Sequence, residues 1–144
     1  MNLHIRPATT NDAQALAHLA TQLGYPSEPE QMVRRLALLP SLGSQAFVAV
    51  VDEQVVGFVQ VGVYFPFLMD DAAEIAALVV DDGWRGQGIG HALLQAAEAW
   101  AIERGCSTMH VRTNIVRERA HKFYRREGYE VVKTALTFAK ALGR

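Results

Sequence analysis

LVVDDGWRGQGIGHALL, Leu78 to Leu94, is the stretch on which the reading of this chain turns. An apolar, β-branched run stops at Asp81 and Asp82, and Arg85 follows. Gly86, Gly88 and Gly90 then alternate before an amphipathic run begins. Strand, glycine turn and helix in this order expose successive backbone N–H groups, which the N-terminus of the helix extends. Such an arrangement suits an anion of pyrophosphate size, with Arg85 adding a charged contact. The competing explanation is a turn whose glycines only let helix and strand pack closely. Two nucleotide-binding fingerprints fit poorly. For G-x-G-x-x-G the third glycine position falls on His91 or Leu93, and a phosphate loop needs Gly-Lys-Ser/Thr, whereas this loop has no lysine.

Outward from the loop, the chain alternates strands and helices. Leu3 to Arg6 is a strand ended by Pro7. A threonine cap at Thr9 or Thr10, with Asp12 in the first turn, opens a helix carrying Leu16, Leu19, Ala20 and Leu23 and stopped at Gly24. Ser27 to Glu30 has capping-box spacing and opens a second helix to about Leu39. Gln45–Val51 and Val55–Phe65 are strands around a tight turn at Asp52, Glu53 and Gln54, and Glu74–Val80 is a fourth strand. The helix after the glycines is expected to bury Ile89, Leu93, Ala96 and Trp100 and to stop at Gly105. Ser107–Thr113 is a strand and Glu118–Glu127 a short helix, followed by strands over Tyr129–Lys133 and Leu136–Leu142. The expected fold is α/β (α+β), a single domain over residues 1–144. Its mixed, mostly antiparallel sheet has helices on both faces in the order β-α-α-β-β-β-α-β-α-β-β.

Bulk properties narrow the function. The 144 residues carry a formal net charge of −1, with 14 basic and 15 acidic side chains. The basic cluster Arg117 to Arg126 is interrupted by Glu118 and followed by Glu127, so no nucleic-acid partner is expected. No apolar run reaches membrane-spanning length, and MNLHIRPATT has no apolar signal core. One cysteine, Cys106, excludes an intramolecular disulfide and fits a cytoplasmic location. The five histidines show no metal-ligand spacing, so no metal is expected.

Two segments together carry a resemblance. RGQGIG resembles the Q/R-x-x-G-x-G/A signature of the GNAT superfamily of acetyl-CoA-dependent N-acetyltransferases. AEIAALVVDDGWRGQGIGHALLQAAEAWAIERGC is similar to that family's motif A. NIVRERAHKFYRREGYE is similar to motif B, with Asn114, Ala120, Phe123, Tyr124, Gly128 and Tyr129 in place. The resemblance implies acetyl-CoA as co-substrate, wedged where the fourth strand splays from its neighbour. Its pantetheine arm would lie along the backbone of Leu78, Val79 and Val80 as an added strand. Its pyrophosphate would lie on the N–H groups of Arg85, Gly86, Gln87, Gly88, Ile89 and Gly90. Asn114 would contact the cofactor, and Tyr124 would lie near the sulfur. The resemblance also implies a homodimer.

Acyl transfer to an amine requires deprotonation of the amine, donors for the oxyanion and a proton for the thiolate. Tyr124 suits the last task, although one helical turn with two aromatics also reads as core packing beside Phe123. Glu74, eleven residues before Arg85, matches the base of the histone-acetyltransferase branch; a plain strand-end carboxylate is the alternative. Cys106, with His110 four residues on, reads as a small packed side chain rather than an acyl carrier. The acceptor is expected to be a primary amine of a small molecule or peptide. It would approach the loops at LGYPSEPE and YFPFLMDDAAE, whose aromatics (Tyr25, Tyr64, Phe65, Phe67) and carboxylates (Glu28, Asp70, Asp71, Glu74) suit a cation. The alternative function is a non-catalytic acyl-CoA-binding or regulatory module.

Overall fold

Chain order and sheet order coincide in the structure, a computed structural model that describes residues 1–64, 71–113 and 116–143. Strands β1 (Leu3–Pro7), β2 (Ser44–Val51), β3 (Gln54–Tyr64), β4 (Ala72–Val80) and β5 (Thr108–Val111) lie side by side as β1-β2-β3-β4-β5. The first three pairings are antiparallel and β4–β5 is parallel. Helices α1 (Ala13–Leu23) and α2 (Pro29–Leu38) join β1 to β2, and α3 (Ile89–Glu103) is the crossover that a parallel pair requires. The chain falls into two compact units, residues 1–112 and 113–144. The sheet and α1 to α3 form the first.

Local chemistry accounts for these elements. Gly24 ends α1 in a left-handed conformation at φ 107° that costs glycine little. A capping box between Glu28 and Gln31, with Pro29 at the first position, starts α2. Asp52 and Glu53 both adopt positive φ, so the β2–β3 hairpin turns through two left-handed residues without glycine. Asp12, only 5% exposed, accepts both guanidinium nitrogens of Arg6 at 2.9 Å and the Thr9 amide at 2.8 Å, tying β1 to the start of α1. The Arg6 guanidinium holds its carboxyl below the ordinary aspartate range.

Both sheet faces are covered. Leu16 and Leu19 of α1 pack with Val48, Val50, Phe58 and Val79, joined at the margin by Met32 and Leu36 of α2. On the opposite face α3 buries Ile89, Leu93, Leu94, Ala97, Trp100 and Ala101. Ala97, rather than the expected Ala96, fills the central position. Gly57 faces α3 so closely that a Cβ there would stand 2.8 Å from the Val79 carbonyl oxygen and 3.1 Å from Leu93 Cδ1. That glycine is a packing residue.

The second unit contains α4 (Glu118–Arg126), with Glu118 in its first turn and Arg125 and Arg126 in its last, as the helix dipole favours. The two expected strands over Tyr129–Lys133 and Leu136–Leu142 do not form: residues 129–143 carry no strand. Val131, Val132, Leu136, Phe138 and Leu142 are all at least 70% exposed. Alternating apolar residues make a strand only where an edge pairs with their backbone, and the sequence pattern does not supply that edge.

Candidate active site

The site is organised by a change in how β4 is paired. Ala72 to Ile75 are paired on both sides, with Tyr64 to Val61 on β3 and Thr108 to Val111 on β5. A bulge between Gln60 and Val61 passes Ala76 over, and Ala77 to Val80 then pair with β3 alone. Among the described residues, nothing pairs with the β5-facing side of β4 beyond Ile75. Leu78, Val79 and Val80 therefore present one edge of strand backbone among the described residues.

That edge leads directly into the glycine turn. Asp81 accepts a hydrogen bond from the Gly83 amide, and Gln22 of α1 accepts one from the Asp82 amide at 3.2 Å. Gly86 (φ 78°) and Gly88 (φ 81°) are left-handed, and Gly88 is the N-cap of α3. A Cβ built on either would meet nothing within 4 Å, in contrast to Gly57. Backbone is bare here because open space lies beside it. The N–H groups of Ile89 and Gly90, in the first turn of α3 ahead of the i→i−4 bond at Ala92, extend the turn. These residues fit a pyrophosphate. Arg85 is turned to Asp82 at 2.8 Å, a contact between exposed side chains that the guanidinium can exchange for an anion.

Glu74 lies at the other end of β4, opposite Gly62 on β3 and His110 on β5. Asp71 anchors this end: its carbonyl accepts from the Ser107 and Thr108 amides at 2.7 and 3.3 Å. Glu74 Oε2 is buried and has no hydrogen-bond partner among the described residues. Since a buried carboxylate oxygen without a donor is costly, this atom is ready for one. On the same face of the sheet, Arg112 donates to the Tyr64 hydroxyl at 3.1 Å, and the Tyr64 and His110 rings lie 6.0 Å apart. Sequence reasoning set His110 beside Cys106 and passed over Arg112. The alternation of His110 and Arg112 along one strand was the available signal.

In the second unit, Tyr124 packs edge-on against Phe123 at 5.1 Å and Tyr129 at 5.7 Å. Burial pushes its phenol up to about 12, so it stays protonated at any physiological pH. Asn114, expected at the cofactor, and Phe65, Phe67 and Asp70, expected near the acceptor, lie outside the described residues. Among the described residues no group of three or more His, Cys, Asp or Glu gathers to hold a metal. No described helix is long and apolar enough to cross a membrane.

Known proteins share this architecture. The aminoglycoside N(6')-acetyltransferase type 1 of Stenotrophomonas maltophilia is 27% identical over 144 residues, covering 96% of this chain and 93% of its own. The aminoalkylphosphonate N-acetyltransferase of Salmonella typhimurium is 46% identical over 69 residues, 48% of this chain and 44% of that protein. The structure of AAC(6')-Iy in complex with the bisubstrate analog CoA-S-monomethyl-acetylneamine superposes with a TM-score of 0.85. That likeness of fold covers 98% of this chain and 99% of that one at 18% identity. With the model of the acetyltransferase (GNAT) family matching residues 13–129, the protein belongs to the GNAT family and is an acetyltransferase.

Proposed function

We propose that the protein transfers the acetyl group of acetyl-CoA to a primary amine of a small molecule or peptide, by direct attack within a ternary complex. The observation that carries this reading is β4 itself. Its free edge and the glycine turn suit the co-substrate, and Glu74 at its other end offers an unfilled acceptor for an amine proton. The relative matched over nearly its whole length is named for acetylating aminoglycosides, and the one matched over less than half its length for aminoalkylphosphonates; both names point to small amines.

Acetyl-CoA supplies an activated acetyl thioester. The chain's own residues do the rest. Backbone of Leu78, Val79 and Val80 aligns the pantetheine arm, and the N–H groups from Arg85 to Gly90 hold the pyrophosphate. Asn114 makes a further contact with the co-substrate. Glu74 takes the proton from the acceptor's ammonium, directly or through a water, and leaves the lone pair that attack needs. Tyr124 donates a hydrogen bond to the departing sulfur. A phenol near 12 beside a thiol of ordinary acidity, about 8.5, transfers its proton uphill, so donation without full transfer suits it better.

Release of free CoA, followed with a thiol dye across a panel of primary amines, tests the activity. Glu74→Gln is expected to lower kcat roughly 100-fold, the low end for a lost general base, with acetyl-CoA affinity unchanged. Unchanged turnover in that variant removes Glu74 from the chemistry. Failure of the wild type to bind acetyl-CoA removes the whole reading.

A further inference from the structure

The surroundings of Glu74 hold two opposite charges on one face of the sheet. Gly62 stands opposite Glu74, and Glu74 opposite His110, so Tyr64, Glu74 and His110 project from the same side. Strands β3 and β5 flank β4, which sets their backbones roughly 9.6 Å apart. The Tyr64 and His110 ring centres are nevertheless only 6.0 Å apart. Both rings therefore lean inward over β4, on the side where Glu74 stands. Arg112, two residues beyond His110, sends its guanidinium back over this group. It donates to Tyr64 Oη at 3.1 Å and lies 5.8 Å from the Tyr64 ring centre. Among the described residues neither Glu74 nor Arg112 takes part in an ion pair, and Glu74 Oε2 accepts no hydrogen bond. An acidic and a basic side chain thus project from one face of the sheet with no ion pair between them.

We propose that Arg112, held in place by Tyr64, is a specificity residue selecting acceptors that carry an anionic group close to the reacting amine. This rests on the reading that Glu74 receives that amine. An amino-carboxylate, amino-sulfonate or amino-phosphonate would set its ammonium at Glu74 and its anion at Arg112, where a planar guanidinium can bind two oxygens at once. The two-residue offset along β5 amounts to roughly 6.6 Å, and the turn of the guanidinium toward Tyr64 shortens it. A span of that size suits a molecule with two or three atoms between the charged groups. A polycation would meet Arg112 as a like charge.

The test compares β-alanine, taurine and 2-aminoethylphosphonate with propylamine and spermidine, as acceptors for the wild type, Arg112→Gln and Tyr64→Phe. The wild type is expected to favour the three zwitterions. Arg112→Gln should lower kcat/KM for them by roughly 10- to 150-fold, the worth of one charged hydrogen-bonding contact, mostly through KM. Propylamine should be unaffected and spermidine improved. Tyr64→Phe, which removes the hydroxyl that holds the guanidinium, should shift the preference the same way by less. Equal losses for all five acceptors would make Arg112 a merely structural residue and overturn the proposal, as would a wild-type preference for spermidine that Arg112→Gln leaves unchanged. If propylamine or spermidine is acetylated and no zwitterion is, charge selection fails while acetyl transfer stands. If no amine is acetylated, both fall.

Discussion

Gly88→Val is expected to raise the dissociation constant for acetyl-CoA by roughly 100- to 10,000-fold, the worth of about two charge-assisted backbone hydrogen bonds. Gly88 caps α3 at φ 81°, and the space its Cβ would enter holds no protein atom within 4 Å. Valine there is a branched group where an anion must touch backbone, in a conformation that L side chains rarely adopt. The strain, on the order of 1–3 kcal/mol, falls in an exposed turn. Melting should therefore drop by several degrees while the fold persists. Gly57→Val should do the reverse. Its side chain would enter the contact with the Val79 carbonyl, Leu93 and Ile89, and stability should collapse without a specific effect on the co-substrate. Isothermal titration and thermal melts on the two variants separate a binding glycine from a packing glycine. Wild-type acetyl-CoA affinity in Gly88→Val would reduce the turn to a packing device.

Tyr124→Phe is expected to lower kcat by roughly 10- to 10,000-fold with acetyl-CoA affinity nearly unchanged, since the ring keeps its packing on Phe123 and Tyr129 and loses only its hydroxyl. The pH profile carries a second reading. Because burial holds the phenol near 12, Tyr124 remains a donor throughout the range from pH 6 to 10 and contributes no alkaline limb there. The variant should run parallel to the wild type on a logarithmic rate plot across that range. An alkaline decline between pH 8 and 10 that disappears in Tyr124→Phe would show that the phenol ionises there. Equal turnover in both proteins would leave Tyr124 a core aromatic.

Much of the fold was legible in the sequence, and the reason is local. Gly24, Gly105 and Gly128 all take the positive φ expected of helix-stopping glycines. The apolar runs on either side of Asp52 and Glu53 close as the β2–β3 hairpin, and the glycine turn sits between strand and helix. What sequence could not give depends on partners distant in the chain. Ala72 and Ala73 join β4, ahead of the expected start at Glu74, because β3 and β5 both pair with them. The bulge at Ala76 depends on how β3 pairs with β4. Arg85 pairs with Asp82, three residues away, a contact that its position in the motif does not reveal. Arg112 and Tyr64 are 48 residues apart in sequence, and only the parallel pairing of β4 with β5 brings them together.

The coincidence of chain order and sheet order has a kinetic side. β2, β3 and β4 follow one another closely, so their pairings require little loop-closure entropy, and a two-residue hairpin forms within roughly 1–10 microseconds. β1 must wait for the chain between Pro7 and Ser44 to close, and β5 for α3 to cross the sheet. Folding would then start in the central meander, with Val48 and Val59 largely packed in the transition state and Val111 scarcely so. Alanine substitutions at those three positions, read by stopped-flow folding and unfolding rates, would show it; a φ-value for Val111 as high as for Val59 would reverse the order. On that order, the last backbone to settle is the β5 side of β4, so the edge proposed to receive the co-substrate is where the native chain is expected to come undone first.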